Sequence, residues 1–219
     1  MMQYNIAPDT IIEPKDYTPT MRDILNQGIS VDKLLHQKVD LSGLKDVTIT
    51  PNGQFFRKNK QGFLPEILEK MYNDRVKYKK LMIEAKQRYV KNPNPEDEKL
   101  IARYNNMQKA KKIQLNSAYG ALANLYFRWF NFNLAESITM SGQLSIRWIE
   151  RKLNEYFNKL LKTDKDYIIA VDTDSVYINF DPIVNKFFSG KTKEETVNLI
   201  DKICNEQIGP YIDKSYDEL

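Results

Sequence analysis

Two carboxylates one residue apart mark the stretch Asp172-Thr173-Asp174-Ser175. It lies between two β-type runs, Tyr167-Ile168-Ile169-Ala170-Val171 and Val176-Tyr177-Ile178-Asn179-Phe180. Both are rich in β-branched and aromatic residues, so each is predicted to be a short buried strand, with the acids at a hairpin tip. If strand geometry continues through the stretch, Asp172 and Asp174 point to the same side. Like charges placed so close repel each other, and a divalent cation relieves the repulsion. The plainer alternative is a polar turn that happens to hold two acids. The pattern alone is shared by several unrelated enzyme classes.

A second segment adds different chemistry. Lys112-Ile113-Gln114-Leu115-Asn116-Ser117-Ala118-Tyr119-Gly120-Ala121 stands in a helical context. At 100° per residue, Lys112, Asn116, Tyr119 and Ala123 share one face. A cation for phosphates beside a flat ring for a base or sugar suits a nucleotide. Gly120, next to the ring, lets another molecule approach closely. The competing reading is an ordinary amphipathic helix with a core tyrosine and a solvated lysine.

Together the segments resemble family B DNA polymerases, through K-x3-N-S-x-Y-G at Lys112 to Gly120 and D-T-D-S at Asp172 to Ser175, in the family's order. Supporting stretches are Gln3-Tyr4-Asn5-Ile6 with Pro8 and Thr10, Pro51-Asn52-Gly53, and Gly62-Phe63-Leu64-Pro65 followed by Arg75 and Lys79. Phe127-Arg128 and the run from Trp148 to Tyr156 extend it. The resemblance covers nearly the whole chain and is closest to the replicative polymerases of large tailed bacteriophages. It implies the cytoplasm of an infected bacterial host as the location, if the source is viral.

The resemblance also says what to expect beyond this chain. In the family, the opening run Met1-Met2-Gln3-Tyr4-Asn5-Ile6 follows an aspartate-bearing motif ending S-L-Y-P-S, which this sequence lacks. A proofreading exonuclease domain would precede that motif, and a basic thumb would follow the last helix. The expectation is the middle of a polymerase, either a piece of a longer chain or one product of a split polymerase.

Composition agrees with a globular piece. Hydrophobic residues make up 42% of 219 residues, enough for one or two domains with a core. The net charge of +4 is mild. From Arg75 to Lys91, however, cations stand at 75, 77, 79, 80, 86, 88 and 91 against one acid, Glu84. That run is either a solvated helix face or a phosphate-facing surface. The single cysteine, Cys204, cannot form an internal disulfide and falls on an apolar helix stripe, which predicts a core position. One histidine, His36, excludes a His-rich zinc site. No apolar run is long enough to cross a membrane, and no signal peptide is visible.

The elements that must position these residues follow from local patterns. Pro8, Pro14 and Pro19 discourage long helices before residue 46. Val47-Thr48-Ile49-Thr50 and Gln54-Phe55-Phe56-Arg57 flank Pro51-Asn52-Gly53, predicting a β-hairpin whose Asn-Gly supplies positive φ angles. A helix is predicted from about Pro65, with Ile67, Met71, Tyr78, Met82, Ala85 and Tyr89 as its apolar stripe. Asn92-Pro93-Asn94-Pro95 breaks it, and a second helix spans about Glu96 to Asn124. The pair should form an antiparallel hairpin, bringing Arg75 and Lys79 toward Lys112, Asn116 and Tyr119.

A third helix is predicted from about Leu134 to Lys162, with Ile138, Ile149, Leu153, Tyr156 and Leu160 apolar and Ser141, Gly142 and Ser145 suited to close packing. A last helix starts near Thr192, where Thr192 and Glu195 fit a capping box. Val197, Ile200, Cys204, Ile208 and Ile212 form its buried stripe, and Pro210 should kink or end it.

The fold class expected is α+β: by resemblance, a polymerase palm, an antiparallel sheet packed on helices, with an inserted two-helix fingers hairpin. Residues 1–62 and 127–219 would be palm, and 63–126 fingers. The resemblance implies transfer of nucleotides from dNTPs to a primer 3′-hydroxyl on primer–template DNA, with two Mg²⁺ ions. Asp174 would be the direct metal ligand and Asp172 a supporting one. Arg75 and Lys112 would hold the triphosphate, assisted by Lys79 and Asn116. Tyr119 and Gly120 would border the nascent base pair. Further partners implied are a separate chain carrying the missing motif and a sliding clamp. Two rivals remain: a non-catalytic nucleic-acid-binding subunit of a split polymerase, and a D-x-D glycosyltransferase, which would leave K-x3-N-S-x-Y-G unexplained. As an isolated chain the protein is expected to be inactive.

Overall fold

The computed structural model describes residues 1–219. Eight α-helices dominate: α1 (Pro19–Asn26), α2 (Val31–Leu35), α3 (Phe63–Lys91), α4 (Pro95–Leu122), α5 (Phe132–Leu161), α6 (Asp181–Phe187), α7 (Lys193–Ile203) and α8 (Gly209–Asp217). Two separate two-stranded antiparallel sheets accompany them, β1 (Val47–Ile49) with β2 (Phe55–Arg57), and β3 (Ile168–Asp172) with β4 (Ser175–Ile178). The mixture is α+β, rich in helix. Two compact units divide it, residues 1–30 with 39–140, and residues 31–38 with 141–219.

The first unit is built around the β1–β2 hairpin and the α3–α4 pair. Its hairpin loop is longer than a two-residue turn. Thr50 accepts the Gly53 amide, and Gly53 alone adopts positive φ, at 80°. Pro51 and Asn52 thus form an ordinary turn, and Gly53 restores the strand direction as a bulge. Phe56 from β2 packs with Ile6, Leu122 and Leu134 in a buried cluster.

Asn5 fixes the approach to α3. Its backbone is left-handed, at φ 55°. Its side-chain amide donates to the Arg57 and Lys60 carbonyls and accepts from the Gly62 amide. Gly62 must be glycine, because a Cβ there would stand 2.7 Å from the Ala7 Cβ. The helix accordingly starts at Phe63, two residues before the predicted Pro65.

Helices α3 and α4 form the expected antiparallel hairpin, and its tip is fastened by charge. Asp97 takes two hydrogen bonds from Arg88, from Nε at 3.0 Å and from an Nη at 2.7 Å. Asn94 caps α4 by accepting the Asp97 amide and donates in return to the Asp97 carboxylate. Asn94 and Arg88 together hold the Asp97 carboxyl below its ordinary value. The seam between the helices follows a strict alternation of four and three. On α3 it runs Leu64, Leu68, Met71, Arg75, Tyr78, Met82, Ala85 and Tyr89, all buried or half-buried. Tyr78 stacks on Tyr104 across it. Ile67, expected in this stripe, is exposed instead. Three-four alternation is the pattern of knobs-into-holes packing.

The second unit is organised by α5, whose residues 132–140 belong to the first unit. Leu144, Trp148, Ile149, Leu153, Phe157 and Leu161 form its buried stripe, while Leu160 is exposed. Trp148 donates to the Ser215 carbonyl at 2.7 Å, which pins α8. Phe157 meets Tyr167 and Phe180 through ring contacts, which seats the start of β3. Ser141 is buried as expected for close packing, but a Cβ added to Gly142 would meet nothing within 4 Å.

The predicted capping box is present, with Thr192 and Glu195 bonded reciprocally. Beyond it the helical run differs from expectation. Val197 is exposed and Cys204 only half-buried, and of the predicted stripe Ile208 alone is fully buried. Pro210 neither stops nor sharply ends the helix. A π-helical turn, Cys204–Ile208, absorbs the missing N–H, and α8 resumes with proline in its first turn.

Candidate functional site

The acid-bearing stretch is a tight reversal, not continuous strand. Asp172 pairs with Ser175, so Thr173 and Asp174 alone make the loop. Thr173 adopts φ 51°, a left-handed conformation that a β-branched residue rarely takes. The Asp174 amide donates to the Asp172 carbonyl at 2.6 Å, and the Ser175 hydroxyl donates to the same oxygen at 3.0 Å. The Thr173 hydroxyl donates to the Asp172 carboxylate at 3.0 Å. The expectation of strand alternation through Thr173 is therefore corrected: chain reversal, and not the pleat, sets where the two acids stand.

The flanking strands are corrected too. Only Ile168 of β3 is buried, and no residue of β4 is. Ile169 is 71% exposed and Tyr177 55%. A two-stranded ribbon has no second layer of its own to cover its faces. Asp172 and Asp174 are exposed. No group of three or more His, Cys, Asp or Glu side chains gathers anywhere in the chain.

On the helical hairpin, Lys112, Asn116, Tyr119 and Ala123 do share a face, and all four are exposed. The seam uses their preceding neighbours Lys111, Leu115, Ala118 and Leu122. Tyr119 is thus not a core residue. Its hydroxyl lies 3.0 Å from the Thr139 hydroxyl, which itself donates to the Ala135 carbonyl. Gly120 faces open space.

Arg75 stands on the opposite helix within the seam. Its Nε is buried and has no hydrogen-bond partner. An unpaired buried donor is costly, and an anion is the partner that would satisfy it best. Lys79, one turn on, is exposed. Lys111 bridges to Asp74 at 2.9 Å, which sets the levels of Lys112 and Arg75 side by side. The Lys111 ammonium holds the Asp74 carboxyl below its ordinary value. Lys112, Asn116 and Tyr119 thus lie on one exposed face of α4, while Arg75 stands in the adjoining seam at the level of Lys112.

Residues 1–216 match the family described as DNA polymerase family B. The chain belongs to that family. Over 218 aligned residues it is 31% identical to the DNA-directed DNA polymerase of Enterobacteria phage T4, covering 80% of this chain and 24% of the relative. Identity to the DNA-directed DNA polymerase of Escherichia phage RB69 is 28%, covering 99% of this chain and 28% of the relative. A DNA polymerase of Pyrococcus abyssi is 31% identical over 67% of this chain and 17% of its own length. The chain thus spans about a quarter of the length of its phage relatives. No helix is long and apolar enough to cross a membrane.

Sequence reasoning missed Asp97 and Thr139, and it placed Arg88 in the cationic run without its partner Asp97. An Asn-x-x-Asp spacing after Asn92-Pro93 was the available signal for the first. Nothing local marks Thr139 as the partner of a tyrosine in another helix.

Proposed function

We propose that this chain supplies the palm and fingers parts of a DNA-directed DNA polymerase that transfers nucleotides from dNTPs to a primer 3′-hydroxyl. Residues 1–62 and 127–219 are the palm and 63–126 the fingers. This functional division differs from the two compact units, which part within α5. Family membership, together with the buried and unpaired Arg75 Nε level with Lys112, carries the reading.

In the reaction, the primer 3′-oxygen forms a bond to the α-phosphorus of the dNTP. The bond to the bridging oxygen breaks, and pyrophosphate leaves. Arg75 and Lys112 bind the triphosphate, with Lys79 and Asn116 assisting. Tyr119 borders the nascent base pair, and the bare Gly120 beside it leaves room for close approach. Fidelity then depends on how rigidly the ring is held, which is the task of the Thr139 hydroxyl.

Asp172 and Asp174 fit a hard cation such as Mg²⁺: both offer carboxylate oxygens, both are exposed, and Mg²⁺ is commonly held by one or two carboxylates with water and substrate phosphates. When bound, two such ions supply positive charge to the attacking and leaving oxygens. Asp174 would be the direct ligand and Asp172, whose carboxylate accepts from the Thr173 hydroxyl, the supporting one. Two carboxylates on one turn would not complete a two-ion site, and a further carboxylate would come from the aspartate-bearing motif, whether on the same chain or a separate one. Primer–template DNA is the macromolecular partner, and a sliding clamp serves the complete enzyme.

Paramagnetic broadening by Mn²⁺ tests the metal assignment on the chain as it stands. Amide signals of residues 172–175 should broaden selectively, and Asp174→Asn should remove the effect. Broadening spread over all surface acids, or none at the turn, would overturn it. Nucleotide binding that ignores Mn²⁺ while DNA binding persists would favour a non-catalytic binding subunit.

A further inference from the structure

Helix α3 carries a second three-four repeat on a face that the hairpin seam does not use. Tyr72, Val76, Lys79, Ile83, Lys86 and Val90 follow one another at intervals of four and three. Val76 is 48% exposed, Ile83 41% and Val90 81%. At 100° per residue this stripe lies roughly a third of a turn from the seam. A shallow groove runs along it, lined by Val76, Lys79, Lys80, Ile83, Glu84 and Gln87.

We propose that this outer face of the hairpin docks an acidic amphipathic helix of a partner protein. Two features choose the occupant. First, Val76, Ile83 and Val90 stand seven residues apart, so their β-branched side chains form one column with a heptad period, the geometry into which another helix's side chains interlock. Second, Lys80 and Lys86 flank that column beside the single acid Glu84, and no acid of this chain pairs with either. Acidic side chains on the incoming helix complement them.

A second copy of this chain is disfavoured, because it would set lysine against lysine. Nucleic acid is disfavoured by the aliphatic column. Val and Ile present no ring for a base to stack on, and phosphate binding does not call for a heptad of apolar residues. Lys79, in the first half of the stripe, is already assigned to the nucleotide, so the test uses positions beyond it.

The experiment uses the 219-residue chain and a fluorescein-labelled synthetic helix of about four heptads. The probe carries Leu and Val on its apolar columns and Glu on the flanking ones. Anisotropy should report saturable binding. Ile83→Asp and Val90→Asp should each weaken it at least tenfold. Lys86→Glu should weaken it as well, and a probe with Lys at the facing Glu positions should restore binding to that variant. Circular dichroism and the thermal midpoint should stay unchanged, since these side chains are exposed in the chain alone. Absence of probe binding, equal binding of the acidic and basic probes, or indifference to all three variants would overturn the proposal. A single-stranded oligodeoxynucleotide whose binding falls with Ile83→Asp would reassign the face to nucleic acid. A concentration-dependent dimer in sedimentation that the same variant dissolves would reassign it to self-association.

Discussion

Lys111 Nζ lies 2.9 Å from Asp74 Oδ2, joining α4 to α3 one residue before Lys112 on one helix and one before Arg75 on the other. The bridge keeps two proposed triphosphate cations at one level although they are far apart in sequence. It also occupies the lysine that could otherwise compete with them for phosphate.

Replacing those cations should therefore act on nucleotide use. In a complete polymerase carrying this segment, Arg75→Ala and Lys112→Ala should each raise the KM for dNTPs. Loss of one charge-assisted contact to phosphate costs about 1.5–3 kcal/mol, or roughly tenfold to a hundredfold. Steady-state kinetics at fixed primer–template, with DNA affinity measured separately, checks this. Weakened DNA binding with unaltered dNTP dependence would refute the assignment.

Asp174→Asn in the same enzyme should abolish primer extension while leaving the fold intact. The turn is exposed, so thermal unfolding should not move. The 219-residue chain alone should not extend a primed template with Mg²⁺ and all four dNTPs. Extension by the isolated chain that disappears in the Asp174 variant would show that its two acids suffice.

The hairpin tip should respond to acid. Asp97 has a carboxyl held below its ordinary value of 3.8, first by the Asn94 hydrogen bond and then by Arg88. A depressed value in the folded state stabilises the protein above the unfolded value. That stabilisation fades as pH falls through the folded one. Protection of the amides around residues 92–98, taken relative to their intrinsic exchange rates, should thus fall below about pH 4. Asp97→Asn should be loose at neutral pH and flatter in its pH response. An unchanged pH profile in that variant would remove Asp97 from the tip's stability.

Burial predicts a sharp contrast within the second unit. Phe157 is fully buried against Tyr167 and Phe180, and Phe157→Ala should destabilise by about 3–5 kcal/mol in denaturant unfolding. Tyr177→Ala, on the exposed ribbon, should change stability by no more than about 0.5 kcal/mol. Comparable losses in the two variants would mean that the ribbon is covered in solution.

The sequence made the hairpin legible because Asn92-Pro93-Asn94-Pro95 leaves the backbone no helical path. It did not reveal which face of α4 packs. That seam includes Tyr104, Gln108, Lys111 and Ala118, so hydrophobicity carries little periodic signal there. A shift of one position then separates the packed column from the face bearing Lys112, Asn116 and Tyr119. The β3–β4 ribbon misled in the other direction. Its β-branched and aromatic residues specify strand, but strand composition does not tell whether a second layer is present. Asp172 and Asp174 were identified from spacing alone. The left-handed Thr173 between them was not, since threonine gives no local reason to expect it.

The tip of the α3–α4 hairpin has a kinetic consequence. Arg88, Asn94 and Asp97 join residues only nine positions apart, so the loop they close is short and entropically cheap to form. Each successive seam contact then closes only a slightly larger loop than the last. The segment should fold as a zipper running from tip to base, ahead of long-range pairings such as that between Thr50 and Ser137. Its order of assembly is thus the reverse of its direction of attachment: the end farthest from the rest of the first unit forms first.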